Sequence, residues 1–231
     1  LPWTGDPLTP FEPALPVTGE RGHVTRLDPD DVAMPTIPVL PLGYLAAEEI
    51  LSRMNGTPAP EGWAGGVDVD YRLTGGPELT VRVRVNQPRA LTRAVNVVGT
   101  VVGTEFPNEW VILGAHYDPW GFGAIDPNGG TAMLVALAEA LGQLADEGCS
   151  PRRSILIAHW DAEEAGIIGS TEWVEEFMDP LTVDAIAYIN ADGAVSGPNF
   201  GGSSSPSLKG TILDVLDDVM YPGLDLSLIH I

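Results

Sequence analysis

The stretch that decides the fold is Trp110-Val-Ile-Leu-Gly-Ala-His-Tyr-Asp-Pro-Trp-Gly-Phe-Gly-Ala-Ile-Asp-Pro-Asn-Gly-Gly130. It opens on a continuous apolar run, which is typical of a buried strand, and turns polar at His116, Asp118 and Asp126. Residues 131–144 are rich in apolar side chains and predict a helix. A buried strand, a polar loop and a helix in this order are the building unit of a parallel α/β sheet.

The same unit recurs towards the C-terminus. Residues 154–158 and 185–189 predict two more buried strands, separated by a predicted helix over residues 170–177. Residues 96–102 predict a further strand, and we expect it to lie beside the strand that begins at Trp110. The whole pattern predicts an α/β fold with a mainly parallel sheet and helices on both faces.

The first 88 residues differ from the rest of the chain in composition and in the structure that they predict. Eleven of the 21 prolines lie in the first 60 residues, which favours ordered loops and extended segments over regular structure. Residues 43–55 predict one short helix, and the alternation within residues 67–85 predicts half-buried strands. We therefore place a domain boundary near Pro88, which divides the chain into residues 1–88 and 89–231.

Composition excludes several classes of protein. The formal net charge of −21 argues against nucleic acid or an anionic membrane surface as partner, because phosphate binding needs clustered Lys and Arg. No apolar run approaches the roughly 18 residues of a membrane span. A single cysteine, Cys149, excludes an internal disulfide framework.

Ionisable side chains follow each of the three buried strands. Ligands of open α/β sheets bind beyond the carboxyl ends of the strands, so we expect these side chains to share one rim. Several carboxylates and one imidazole at a single rim would repel one another unless a cation lay among them, and this donor set suits zinc. The predicted rim residues are His116, Asp126, Glu163, Glu164 and Asp192.

Several motifs in these segments resemble glutamate carboxypeptidase II and its relatives, the family of di-zinc exopeptidases that includes the transferrin receptor. They are GAHYDPW at 114–120, GAIDP at 123–127, PRRSIL at 151–156, WDAEE at 160–164, GSTEW at 169–173 and YINAD at 188–192. The resemblance covers most of residues 1–205. It implies a zinc-peptidase fold of the phosphorylase/hydrolase-like type, preceded by part of a protease-associated apical domain in residues 1–88.

The resemblance also implies roles at matching positions. Asp126 would bridge two zinc ions, His116 and Asp192 would complete one site, and Glu164 would belong to the other. Glu163 matches the general base of the family, and Asp118 is the expected partner that orients the imidazole of His116. The remaining histidine of the second zinc site is not identified in this chain, because His230 lies too close to Asp192 in the sequence.

A structural calcium ion is the second metal that the resemblance implies. The matching positions are Thr9, Glu12, Glu172 and Glu175, of which Glu172 and Glu175 lie three apart and therefore share a face of the predicted helix. We also expect a small peptide as substrate, a homodimer in the full-length protein, and an extracytoplasmic or membrane-anchored location. We expect the chain itself to be an internal piece of a longer protein.

Three functions remain open at this point. The first is a zinc-dependent exopeptidase that resembles glutamate carboxypeptidase II and hydrolyses a terminal peptide bond of small peptides. The second is a di-zinc aminopeptidase, and the third is a non-catalytic relative of the transferrin-receptor type. The presence of every rim residue favours an enzyme. The resemblance implies that members of the family specific for C-terminal glutamate carry an arginine at a position that falls near Gly202 in this chain. No arginine is present there, which argues against specificity for C-terminal glutamate.

Overall fold

The structure is a computed structural model that describes residues 4–15, 24–88, 90–195 and 197–230. Its strands are β1 (Val97–Val101), β2 (Phe106–His116), β3 (Arg153–Trp160) and β4 (Ala185–Asn190). Its α-helices are α1 (Tyr44–Leu51), α2 (Asn128–Asp146), α3 (Ile168–Glu176), α4 (Met178–Asp184) and α5 (Lys209–Asp218), and two short 3₁₀-helices cover Pro29–Asp31 and Leu228–His230. No helix in these described ranges is long and apolar enough to span a bilayer.

The four strands of the described chain form one mixed sheet in the order β1-β3-β2-β4. β2 pairs in parallel with both β3 and β4, while β1 runs antiparallel to β3. The α/β sheet with mainly parallel strands is therefore confirmed in this coarse form. The prediction that β1 would lie beside β2 is wrong, because β3 lies between these two strands and pairs with both of them.

Helices lie on both faces of this sheet. On one face, Leu134 and Leu141 of α2 pack on Ala115 of β2 and on Ile155 and Ile157 of β3. On the other face, the indole of Trp160 stacks on that of Trp173 in α3, with ring centroids 5.2 Å apart. Residues of a strand alternate between the two faces, so the continuous apolar run of β3 serves both layers at once.

The chain divides into two compact units, one formed by Leu1–Val32 with Arg93–Ile231 and the other by Ala33–Thr92. This grouping differs from the predicted division into 1–88 and 89–231, since it joins the N-terminal segment to the sheet-bearing unit. The assignment of residues 1–88 to an apical domain stays a prediction.

The predicted strands within residues 67–85 are wrong. In the described part of Ala33–Thr92, pairing is limited to an isolated antiparallel bridge between Pro58 and Arg72. Val81, Val83 and Val85 are each at least 41% exposed. Alternation defines a face, but a strand also needs a neighbour that accepts its backbone hydrogen bonds, and this segment has none among the described residues.

Candidate metal centre

The centre begins at His116, the last residue of β2. Two contacts hold the backbone here: the Tyr117 N–H donates to the Trp160 carbonyl at 3.0 Å, and the Thr131 hydroxyl of α2 donates to the His116 carbonyl at 2.6 Å. The side chain of His116 is only 3% exposed. The imidazole is therefore fixed by packing at the carboxyl edge of the sheet, where the sequence predicts it.

Asp192 reaches the same edge because the pairing of β2 with β4 continues past the end of β4. The Ala191 N–H donates to the Gly114 carbonyl at 2.8 Å, which carries the chain up to the level of His116. The first turn of α2 lies against this segment, and a Cβ at Gly130 would come within 1.5 Å of the Ala191 carbonyl oxygen. Glycine at position 130 thus allows the approach that brings Asp126 beside Asp192.

Three side chains converge as a result. Nε2 of His116 lies 3.1 Å from Oδ1 of Asp126 and 3.1 Å from Oδ1 of Asp192. The ligand atoms of His116, Asp126 and Asp192 all lie within 4.8 Å of one another. Two ligands of one tetrahedral zinc ion, each about 2.0–2.2 Å from the metal, lie about 3.4 Å apart, so the set has zinc-like spacing and donors.

The electrostatics at this group favour a cation. Burial lowers the pKa of His116, but the hydrogen bond to Asp192 and the charges of Asp192 and Glu163 outweigh burial and raise that pKa above its ordinary value. Asp126 and Asp192 are 59% and 50% exposed and keep their outer sides open to solvent. Carboxylates arranged around a buried imidazole, with one side open, fit the donor set and access of a catalytic zinc site.

Asp118 lies between the imidazole and the two glutamates. Nδ1 of His116 is 3.2 Å from the backbone carbonyl of Asp118 and 3.6 Å from its carboxylate. The carboxylate accepts the N–H groups of Glu163 at 2.9 Å and Glu164 at 3.2 Å. Asp118 therefore contacts His116 through its backbone and holds the Glu163–Glu164 backbone through its side chain, a second link that the sequence analysis missed.

Glu163 and Glu164 lie on the loop of residues 161–167, between β3 and α3. Burial raises the pKa of Glu163; the charge of His116 opposes this shift, whereas Glu164, Asp192 and Asp118 add to it. The geometric link of Glu163 to the centre is its backbone N–H, which donates to the Asp118 carboxylate beside His116. Glu164 is not a member of the described group of three, so its predicted role as a ligand stays a prediction.

The predicted calcium positions lie around α3. The carboxylate of Glu172 accepts the backbone N–H groups of Asp6 and Ala14. Oε2 of Glu175 and the hydroxyl oxygen of Thr9 are buried without a hydrogen-bond partner, while Glu12 is exposed. Burial raises the pKa of both glutamates; backbone hydrogen bonds oppose the shift at Glu172, and the Glu172 charge adds to the shift at Glu175.

Comparison with known proteins agrees with these motifs. The chain is 39% identical over 230 residues to aminopeptidase NAALADL1 of Rattus norvegicus, covering 95% of this chain and 30% of the relative. It is 37% identical over 230 residues to a probable glutamate carboxypeptidase VP8 of Zea mays, covering 98% of this chain and 31% of the relative. The chain thus spans about 30% of the length of these curated relatives.

A solved structure is also similar. The crystal structure of a peptidase M28 precursor from Shewanella amazonensis SB2B aligns with a TM-score of 0.45 and 27% identity, over 52% of this chain and 27% of that one.

The family assignment rests on sequence. The sequence signature of peptidase family M28 matches residues 96–222, which include every strand and every predicted zinc position. The resemblance to the glutamate carboxypeptidase II group is confirmed by the curated relatives. The chain therefore belongs to peptidase family M28.

Proposed function

We propose that the whole protein is a zinc-dependent exopeptidase that hydrolyses a terminal peptide bond of small peptides. The observation that carries this proposal is the convergence of His116, Asp126 and Asp192 at the carboxyl edge of the sheet, where Asp118 contacts His116 and holds the backbone of Glu163. Metal ligands with an adjacent carboxylate base are the minimum set for metal-assisted hydrolysis of an amide.

His116, Asp126 and Asp192 would hold one zinc ion. Asp126 would also reach a second ion, for which Glu164 and a histidine not identified in this chain would be the remaining ligands. When bound, the zinc ions lower the pKa of a water molecule and polarise the substrate carbonyl.

Glu163 has the proton-transfer role in this proposal. It accepts a proton from the attacking water and returns it to the leaving amine. A carboxylate positioned within reach of that water supplies general-base catalysis. Asp118 keeps Glu163 in reach by binding its backbone N–H.

The terminus that is hydrolysed separates the two enzyme candidates. The printed names of the relatives include both an aminopeptidase and probable glutamate carboxypeptidases. A panel of peptides blocked at one end tests this: N-acetylated dipeptides remain substrates of a carboxypeptidase, and C-amidated dipeptides remain substrates of an aminopeptidase. Including C-terminal glutamate and C-terminal apolar residues tests our inference that glutamate is not preferred.

The non-catalytic alternative makes the opposite prediction on the same panel. A receptor-like relative shows no hydrolysis of any peptide after loading with zinc. We disfavour it because the predicted base Glu163 and four predicted ligands are present in the sequence, namely His116, Asp126, Glu164 and Asp192. Chelator-sensitive turnover of one peptide excludes it, and complete inactivity of zinc-loaded whole protein excludes the enzyme.

We further propose a structural calcium ion at Thr9, Glu12, Glu172 and Glu175. Its support is that the Thr9 hydroxyl and Oε2 of Glu175 are buried without a hydrogen-bond partner, and that burial disfavours the charged forms of Glu172 and Glu175. A hard cation that prefers oxygen ligands would relieve that penalty.

The partners of the whole protein are proposals as well. A small peptide is the expected ligand, the charge of −21 argues against nucleic acid, and the resemblance implies a homodimer. Sedimentation of the whole protein at micromolar concentration tests the dimer, and a single monomeric species would contradict it.

A further inference from the structure

We propose that Asn96 is a positioning residue that fixes the loop of residues 161–167, and with it Glu163, relative to the metal ligands. This inference rests on the proposed role of Glu163. Asn96 lies immediately before β1, outside the motifs that carry the family resemblance, and its side chain is half-buried.

The side chain of Asn96 spans both ends of the loop. Its Oδ1 accepts the N–H of Asp161 at 3.1 Å, and its Nδ2 donates to the carbonyl of Gly169 at 2.8 Å. Asp161 begins the loop and Gly169 lies in the first turn of α3. One amide group therefore links the end of β3 to the start of the next helix.

The loop has a backbone that needs such support. Ala162 and Ile167, on either side of the two glutamates, have positive φ angles of 54° and 56°. Residues other than glycine adopt this region at a cost, and they keep it only where the surroundings hold the backbone in place. Ala162 directly precedes Glu163, so relaxation at position 162 redirects the proposed base.

The two hydrogen bonds of Asn96, which we call the Asn96 clamp, lie in a closely packed region around Gly169. A Cβ at this position would lie 2.4 Å from Oδ1 of Asn96 and 2.3 Å from the Asp161 carbonyl oxygen. The Gly169 N–H also donates to the Asp161 carbonyl at 2.9 Å. Any side chain at position 169 must displace either Asn96 or the first residue of the loop.

Asn96 and Asp118 act on different parts of the loop. Asp118 binds the N–H groups of Glu163 and Glu164 in the middle, whereas Asn96 binds the two ends. Asp118 also contacts the predicted ligand His116, so its replacement disturbs metal and loop together. The described hydrogen bonds of the Asn96 side chain include none to a predicted metal ligand. A change at Asn96 therefore tests the geometry of the loop with less disturbance of the metal site than a change at Asp118.

The test uses Asn96→Ala and the isosteric Asn96→Asp in the zinc-loaded whole protein. Asn96→Asp keeps the oxygen that faces the Asp161 N–H but loses the donor to the Gly169 carbonyl. We expect both variants to lower kcat by about 10- to 100-fold, because a small displacement of a catalytic group has effects of this size. KM and zinc content stay unchanged, and amide hydrogen exchange of residues 162–168 becomes faster.

Ser154→Ala is the matched control. Ser154 is buried at the opposite end of β3, where its hydroxyl accepts the Gly103 N–H at 3.0 Å and donates to the Pro107 carbonyl at 2.7 Å. It therefore removes two comparable hydrogen bonds without touching the loop. We expect it to lower the melting temperature while kcat and loop exchange remain those of the unmodified protein.

Two outcomes overturn different statements. Full kcat and unchanged exchange of residues 162–168 in both Asn96 variants, with Glu163→Gln inactive, overturn the role of Asn96 alone. Full activity of Glu163→Gln overturns the proposed function. Faster amide exchange of residues 162–168 in the Asn96 variants would in that case still show that Asn96 holds the loop in place.

Discussion

Two acidic clusters of the sheet-bearing unit differ in what surrounds their carboxylates. In the rim cluster, formed by His116, Asp126, Asp192 and Glu163, the carboxylates surround an imidazole and face solvent on one side. In the α3 cluster, formed by Glu172, Glu175 and the segment of residues 4–15, two backbone N–H groups of that segment donate to the carboxylate of Glu172.

The difference indicates a catalytic role for the rim cluster and a structural role for the α3 cluster. A catalytic metal site keeps an open position for substrate, whereas a structural site is closed by protein ligands. The open rim cluster is suited to bind and turn over a peptide. The enclosed α3 cluster ties an N-terminal segment to a helix, and the predictions below test this division of roles.

The largest expected effect is at Glu163. Replacing Glu163 by Gln keeps the size of the side chain but removes its basicity, so we expect kcat to fall by about 10²–10⁴-fold. Zinc content and melting temperature should match those of the unmodified protein. Steady-state kinetics with elemental analysis measures both, and the exposed Glu139→Gln on α2 is the control that keeps full activity. Retention of most turnover would show that Glu163 is not the base.

The second effect concerns the metal itself. Asp192→Asn leaves the shape of the side chain but removes a charged ligand, so zinc affinity should fall by more than the about 10–100-fold typical of an outer-shell change. Competition with a chromogenic chelator measures this affinity. Asp146→Asn, at the exposed end of α2, should leave it unchanged. Equal zinc affinity of the two variants would remove Asp192 from the ligand set.

The approach of His116, Asp126 and Asp192 could be predicted from the sequence because it depends on the parallel direction of neighbouring strands. Once β2, β3 and β4 are recognised as parallel neighbours, the residues that follow them must meet at one edge. The hydrogen bonds of Asn96 could not be predicted in this way. They join residues 65 and 73 positions apart in the sequence, and no local pattern encodes them.

The strand prediction over residues 67–85 was wrong for a related reason. Its alternation resembles that of a half-buried strand, but alternation carries no information about a pairing partner. The prediction of β3 was correct because its apolar residues supply both faces of the sheet and it pairs with β1 and β2. Burial against identified neighbours was the stronger signal.

The third effect concerns the α3 cluster. We expect the double variant Glu172→Gln/Glu175→Gln to lose calcium-dependent stabilisation, which amounts to about 2.7 kcal/mol when calcium is present at 100 times its Kd. Thermal unfolding with and without calcium measures the difference, and zinc content should not change. Asp214→Asn/Asp217→Asn is the matched control, because it removes an exposed acidic pair with the same spacing on α5. If calcium does not stabilise the unmodified protein, this site is not a calcium site.

The smallest effect is a pH dependence whose sign depends on calcium. Burial raises the pKa of Glu172 and Glu175 in the folded state, so without calcium the folded state holds their protons more tightly than the unfolded state does. Their contribution to the free energy of unfolding is then greatest below the unfolded pKa and is lost as pH rises through the folded pKa. With calcium bound, the carboxylates must be ionised, so acidification releases the ion and lowers stability.

Subtracting the unfolding free energy of the double Gln variant from that of the unmodified protein isolates these two groups from the other 30 acidic residues. The difference should favour the unmodified protein increasingly on acidification in chelator, and decreasingly in calcium. The rim cluster lacks this signature, because calcium is not its expected ion. The same slope in both solutions would mean that the α3 cluster is held by its backbone N–H groups alone, and that the buried oxygens of Thr9 and Glu175 mark no metal site.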